Sequence, residues 1–497
     1  MAQENARRGS FWDVGTVPAV YPRLDGDRTA DVVVVGGGIA GLTAAWHLAE
    51  AGQRVLLLEA QRIGRQVTGH STAKVTTQHG LIYTDLIERF GTEGAYAYAE
   101  ANRWALEEIA ETVAQLGIDC AFERKDAYLY TDDESRRPEL EAEVVAAQRF
   151  RLPACLVEDL PVPVPHKLGI RFSDQAQFNP VAYADGLARA VVQAGGNIFE
   201  QTRVTSVEEG NPCGVVTEGG RIEAGAVVLA TNIPFGKTGE FHKKARPRCH
   251  VGLAARIAEP FPEGMFLSLD SPTHSLRMAP TDQGPVLVAI GDGFKPGSAD
   301  PGAKLRALET FVREAFSLQD ITHVWWNEDF DSIDRVPFIG RASRESENLY
   351  VCTGFSSWGF TNGTAAGRII CDLILGRENA WSFLFDATRE PHGERQRGHD
   401  EPAVQKDRDP NTLAKEEAAL IEKGEQILAA YRDEAGELHI RSAACTHLGC
   451  TLAWNGVNRT WNCPCHGSAF DYRGKLVHGP AVKDLEPVDA GQGRGGA

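Results

Sequence analysis

Residues 31–60 read DVVVVGGGIAGLTAAWHLAEAGQRVLLLEA, one β-α-β unit. Asp31 to Val35 is a β-branched run, as expected for a strand buried on both faces. Gly36 to Gly41 makes the turn. Ile39 to Ala51 reads as a helix with Gly52 as its C-cap, and Arg54 to Leu58 as a second buried strand ending at Glu59. The turn satisfies G-x-G-x-x-G, and each part has a reason. Gly36 permits the tight turn, Gly38 lets the backbone reach a pyrophosphate, and Gly41 lets helix and strand approach closely. Ile39 and Ala40 open a helix whose unpaired N–H groups and positive dipole end suit an anion. Glu59 can accept both hydroxyls of a ribose and would repel a 2′-phosphate. The plain alternative is a glycine-rich turn with no ligand; the strand, helix and acid around this turn argue against it. The chain carries one such fingerprint, because GDGFKPG at 291–297 lacks the context and the spacing. An NADH-dependent flavoprotein would usually need two dinucleotide sites. The single site points to a flavin enzyme that oxidises its own substrate.

Outward from this unit, 497 residues suggest about three domain-sized parts. The formal net charge is −17, which argues against nucleic acid and against docking on anionic lipid. Hydrophobic content of 42% and charged content of 24% are those of a globular chain with a large core. No apolar run approaches the ~20 residues of a membrane span. Arg7-Arg8 is followed by no apolar stretch, so an export signal is not expected and a cytoplasmic protein is.

Residues 1–29 form a polar N-terminal segment. Residues 30–384 hold the flavin-type region, with cofactor-binding parts at about 30–80, 165–235 and 335–380. Substrate-domain parts are expected at about 81–164 and 236–334. Residues 83–150 read as helical and charged, LARAVVQAGG and KLRALETFVREAF as further helices, and Ala226 to Ala230 as a strand. Residues 348–376 repeat the opening theme: strand Asn348 to Cys352, glycine-rich turn, helix Thr364 to Leu375. The charged, proline-bearing stretch 385–411 is the expected linker. Residues 412–490 read as all-β, with hairpins turning at Asp433 to Gly436 and around Asn455-Gly456. The fold class is therefore α/β, a Rossmann-type FAD-binding domain with an interleaved α+β substrate domain, followed by a small all-β domain.

The region 30–380 resembles the FAD-dependent amine and amino-acid oxidoreductases of the D-amino-acid dehydrogenase, glycine oxidase and sarcosine oxidase type. The likeness rests on the opening unit, AGAVVLATN, DRVPFIG and NLYVCTGFSSWGFTNGTAAG. It implies that the turn Gly354 to Gly359, with Phe360 opening the next helix, runs under the flavin ring. There the helix dipole would meet negative charge on the reduced flavin. It implies flavin contacts from the loop 68–74, Thr72 included, and from Ala60 and Thr231, and an adenine contact from the strand at Val204. Sarcosine-type members attach flavin through a cysteine before D-x-x-P. Trp325 to Asp329 holds none here, so non-covalent FAD is expected. Arg277 is the candidate for a substrate carboxylate, with an ordinary salt bridge as its alternative. Lys74 is a candidate near flavin N5, and His274 and Trp326 are weaker pocket candidates.

Cys445-x-His447 and Cys463-x-x-His466 give two thiolates and two imidazoles, the ligand set of a Rieske [2Fe–2S] centre. Structural zinc is the competing reading, but C-x-H is poor zinc spacing and leaves Cys450 and Cys465 without a role. The pattern resembles the C-terminal Rieske domains of such flavoproteins and, more distantly, those of respiratory cytochrome complexes. The latter likeness implies a Cys450–Cys465 disulfide, with two free thiols as the alternative in a reducing compartment. It also implies that Ser468 bonds a bridging sulfide and that Gly479-Pro480-Ala481 covers the cluster. The family's tyrosine is Phe470 here, and Tyr472 sits at the wrong offset to replace it. A missing donor to cluster sulfur predicts a potential below that of respiratory centres.

Together the two sites predict a dehydrogenase: small amine or amino acid to FAD, FAD to cluster, cluster to an external one-electron carrier such as a ferredoxin, cytochrome or quinone-linked protein. Two alternatives stand beside it, a reductase component fed at the cluster and a redox-sensing or electron-buffering protein. No 2-His-1-carboxylate iron site is evident.

Overall fold

The computed structural model describes residues 6–13, 19–236, 238–393 and 402–488. The expected linker is thus described only outside 394–401, and the last residues of the all-β domain, 489–490, lie outside the described part.

Arg28–Val35 pairs in parallel with Val55–Leu58 on one side and Gly220–Leu229 on the other. Leu349–Thr353 and Asn197–Phe199 extend this sheet. Val35 lies beside both Leu58 and Leu229, so the strands end together and their following turns share one edge. The two faces of the valine run are covered differently. Val32 and Val34 pack with the helix Ile39–Glu50, whereas Val33 and Val35 pack with Val215 of the hairpin Val204–Glu208 and Cys213–Thr217.

A second helix, Gly359–Ile374, crosses Ile39–Glu50 closely. A Cβ on Gly367 would stand 2.6 Å from Thr43 Cγ2, and one on Gly363 would stand 2.9 Å from Ile39 Cγ2. The helix therefore starts at Gly359, before the Thr364 expected from its sequence. Glycine and asparagine are weak helix formers, and here the packing that they permit outweighs propensity.

The second sheet is mixed and ten-stranded, built around the antiparallel pair Ala245–Ile257 and Leu318–Ser332. Helices Tyr83–Leu116 and Arg137–Arg149 occupy the stretch expected to be helical, but Glu123–Thr131 between them is a strand. Its KDAYLYT segment alternates and buries Ala127 and Leu129; the flanking charged helices mask that period. The polar opening of the chain also joins this sheet. Arg7–Arg8 pairs with His323 and Val324, and Trp12 is buried with Nε1 donating to Ser71 O.

The C-terminal domain holds two four-stranded sheets. Ala418–Lys423, Gln426–Arg432 and Leu438–Ser442 form one antiparallel meander, joined by Gln405–Lys406 in parallel. Ala453–Asn455, Thr460–Asn462, Ala469–Asp471 and Leu476–His478 form the other. This domain is docked on the flavin half. Arg203 Nη2 donates to Leu476 O and Val477 O at 3.1 and 3.0 Å, Gln61 Nε2 to Val477 O at 3.1 Å, and Gly236 N to Pro480 O at 2.9 Å. Among the described residues no helix is long and apolar enough to cross a membrane.

Candidate functional site

A cavity of about 720 Å³ opens at the C-terminal ends of the parallel strands, where ligands of such sheets bind. Gly36, Gly38, Ile39 and Ala40 form its floor, and Glu59 and Ala60 the end of the second strand's turn. Thr72, Val204, Thr231, Gly359 and Phe360 also line it. Gly41 and Gly354 stand behind the wall. A Cβ on Gly41 would lie 1.9 Å from Gly36 O, and one on Gly354 would lie 3.1 Å from Ser332 Cβ. Their part is close packing and turn geometry.

Helices Ile39–Glu50 and Gly359–Ile374 both begin at the cavity, and neither N-cap supplies a side-chain hydrogen bond. Thr68 Oγ1 accepts from Ile39 N at 3.1 Å. The remaining N–H groups of the two N-termini supply donors and positive potential, a fit for the pyrophosphate and the flavin carbonyl edge of FAD. Glu59 is buried. Its Oε2 accepts from Gly37 N at 2.8 Å and its Oε1 from Gln61 N at 2.7 Å. Each oxygen keeps a lone pair for a ribose hydroxyl. Burial raises its pKa, and these two donors partly offset that.

The substrate-side expectations need correction. Arg277 does not line the cavity. It is buried beneath Trp12, 4.8 Å from the ring, and its guanidinium donates to Thr72 O and, at 2.9 Å, to Phe178 O. It braces the loop 68–74 from behind rather than facing a substrate carboxylate. His274 does not line the cavity either; its ring stacks on Phe311 at 3.6 Å, and burial pushes its pKa down to about 4. Lys74 and Trp326 are in the wall. Lys74 Nζ donates to Phe266 O and Ser275 Oγ, both at 2.7 Å, and burial, with the charge of Arg277 behind it, brings its pKa down to about 7.

Other wall residues had no local signal. Asp329 Oδ2 accepts from Ser357 N at 2.6 Å, fixing the turn before Gly359–Ile374, and burial raises its pKa to about 6. His79 stacks on Trp358 at 4.6 Å, and burial lowers its pKa to about 3. Glu328, next to Asp329, also lines the cavity, and burial raises its pKa to about 8. Only the two adjacent acids just upstream of D-x-x-P could have suggested part of this set.

The expected cluster ligands, Cys445, His447, Cys463 and His466, stand on two similar turns. Gly449 N donates to Cys445 O at 2.8 Å and Gly467 N to Cys463 O at 3.0 Å, and both glycines have left-handed φ, +80° and +71°. The rings of His447 and His466 meet edge to face at 5.1 Å, and His242 of the flavin half faces both, at 5.3 and 4.9 Å. The thiols of Cys445 and Cys463 are buried and close enough to hydrogen-bond; this pairing and Ser468 lower the Cys445 pKa to about 7. Cys450 and Cys465 are joined, with S–S 2.07 Å, which ties one turn to the other. Ser468 Oγ accepts from Ala481 N at 3.1 Å, placing Gly479 to Ala481 over this turn. Two thiols and two imidazoles on tied loops fit a [2Fe–2S] cluster.

Residues 31–373 match the family model described as FAD dependent oxidoreductase. The chain belongs to this family. Residues 404–489 of the oxidoreductase match the Rieske [2Fe-2S] domain, so FAD and a [2Fe–2S] cluster are its cofactors. It is 33% identical over 504 residues, 97% of each chain, to YhfW of Bacillus subtilis (strain 168), which is named as a Rieske 2Fe-2S iron-sulfur protein. It is 25% identical over 385 residues to gamma-glutamylputrescine oxidoreductase of Escherichia coli (strain K12), covering 72% of this chain and 86% of that one. In fold it is similar to the crystal structure of glycine oxidase from Geobacillus kaustophilus. That likeness has a TM-score of 0.59 at 16% identity, covering 73% of this chain and 99% of that one. The oxidoreductase is thus an enzyme of the amine and amino-acid oxidase type, extended by a Rieske domain.

Proposed function

We propose that this protein is a dehydrogenase. It oxidises a small amine or amino acid at FAD, moves the electrons through its own Rieske cluster, and delivers them singly to an external carrier such as a ferredoxin, a cytochrome or a quinone-linked protein. One observation carries this reading: a single cavity is walled by both domains. The dinucleotide turn and Lys74 form one part of its surface; Asn462, Ala469, His478 and Ala481 of the Rieske domain form another. When bound, FAD supplies a two-electron acceptor for a C–H bond, and the cluster supplies a one-electron carrier.

The chain's own groups do the rest. The two helix N-termini hold the anionic parts of the cofactor and favour negative charge on it. Glu59 holds the ribose. Asp329 fixes the turn Ser356 to Gly359 through the Ser357 N–H. Lys74, half neutral near pH 7, takes the proton of a substrate ammonium so that the amine lone pair is free when the C–H bond breaks. The loop 68–74 that carries it is held from behind by Arg277. No cysteine is among the described residues lining the cavity, which supports FAD held without a thioether.

Anaerobic mixing with glycine, sarcosine, small D-amino acids and gamma-glutamylputrescine tests the proposal, with flavin absorbance and low-temperature EPR as readouts. One member should bleach the flavin and then raise the reduced Rieske signal. A dithionite-reducible cluster beside a flavin that no amine reduces would overturn the dehydrogenase reading.

A further inference from the structure

The cluster turn and the flavin cavity meet at one buried carboxylate. Glu328 lies on Leu318–Ser332, opposite Cys249 of the neighbouring strand, and is almost fully buried. Its Oε2 accepts from Asn462 Nδ2 at 3.1 Å, and Asn462 immediately precedes the ligand Cys463. Asn462 Oδ1 accepts from Thr460 Oγ1 at 2.7 Å, which sets the amide with its nitrogen toward Glu328. The same carboxylate crowds the other end of the turn. A Cβ on Gly467, the residue after the ligand His466, would stand 2.3 Å from Glu328 Oε1 and 2.7 Å from Phe330 Cζ. Glu328 thus touches both flanks of the second ligand pair while lining the flavin cavity. Its Oε1 is buried, and the thiol of Cys249 on the neighbouring strand stands within hydrogen-bond reach of the carboxylate. Stability does not explain a carboxylate here, since an apolar side chain would seal the seam without the cost of desolvating a polar group.

We propose that Glu328 is a positioning residue for electron transfer, holding the turn Cys463 to Gly467 against the flavin cavity through Asn462. The inference rests on the relay under Proposed function. In each transfer one ferric ion of the cluster becomes ferrous by one electron from the reduced flavin. The external one-electron carrier reoxidises the cluster before the second electron crosses, and the protons of the reduced flavin leave to solvent.

The test needs no substrate. The holoprotein is photoreduced at the flavin with 5-deazaflavin and oxalate, and the cluster is followed by absorbance. Glu328→Ala should slow cluster reduction at least tenfold. Dithionite-reduced samples should still show a full Rieske EPR signal with altered g-values, and the amides of residues 462, 463 and 465–467 should exchange hydrogen faster. Glu328→Gln, whose amide oxygen still accepts from Asn462, should stay within threefold of wild type. Should Glu328→Ala lose the cluster, Asn462→Ala removes the same hydrogen bond, keeps the carboxylate, and should show the same slowing. Transfer at the wild-type rate in Glu328→Ala or in a cluster-loaded Asn462→Ala overturns the role of Glu328, as does Glu328→Gln as slow as the alanine variant. No flavin-to-cluster transfer in the wild type overturns the relay itself and the role with it.

Discussion

Lys74 shows how far position alters a side chain. An ordinary lysine titrates near 10.5; this one, buried and hydrogen-bonded only to neutral oxygens, titrates at about 7. Between about pH 7 and 10 the unfolded chain therefore binds a proton that the folded one does not. Stability from this group rises with pH across that window and is flat below it, where both states are protonated. Denaturant titrations at several pH values should show wild type gaining on Lys74→Met between about pH 7 and 9, and flavin reduction by substrate in the wild type should rise over the same range. A second residue-scale prediction concerns Phe470, fully buried beside the cluster turns. Phe470→Tyr offers sulfur a donor. A net hydrogen bond of about 1 kcal/mol corresponds to roughly 40 mV for a one-electron couple. Redox titration followed by EPR should show a rise of that order, and no rise would mean that the new hydroxyl points elsewhere.

Among the elements, two pairings carry the site. The helix pair Ile39–Glu50 and Gly359–Ile374 brings both N-termini to the cavity only because Gly363 and Gly367 let the axes approach. Gly367→Ala should cost about 1–3 kcal/mol by overpacking and weaken FAD retention, read as flavin absorbance per protein after gel filtration. The two cluster turns are tied by Cys450–Cys465, a closure of 15 residues. By loop entropy that tie is worth about 3 kcal/mol. Cys450→Ser with Cys465→Ser should lower the stability of the Rieske domain by that order, measured as the urea midpoint of cluster bleaching, while the flavin transition moves far less.

The whole molecule adds an interface that docks the Rieske domain on the flavin half. Arg203, partly buried, donates to two backbone carbonyls of Leu476–His478, and hydrogen bonds from a charged group are each worth about 1.5–3 kcal/mol. Unfolding of wild type should be a single transition by flavin fluorescence and by cluster absorbance. Arg203→Met should separate the two midpoints, with the cluster lost first. Coincident midpoints in the variant would place the coupling elsewhere.

Local patterns were enough for the β-α-β unit at 31–60, the glycine turns and the Rieske domain. Their physics is local: the glycines answer to a turn that any Cβ would block, and C-x-H with C-x-x-H names the donors directly. The ends of elements were less legible. The start at Gly359 and the strand Glu123–Thr131 depend on packing partners far away in sequence. The substrate side was legible only in part: Lys74 and Trp326 are in the wall, Arg277 and His274 are not. Arg277 was the candidate for the substrate carboxylate that the resemblance implies, yet the fold turns it under Trp12 and gives its donors to backbone carbonyls. Glu328, Asp329 and His79 became wall residues only when the second sheet and the Rieske domain closed over the first. The sequence by itself determined the cofactors, because their ligands are set by short motifs. Tertiary structure alone decided that both domains wall one cavity, because their contacts join residues more than a hundred positions apart.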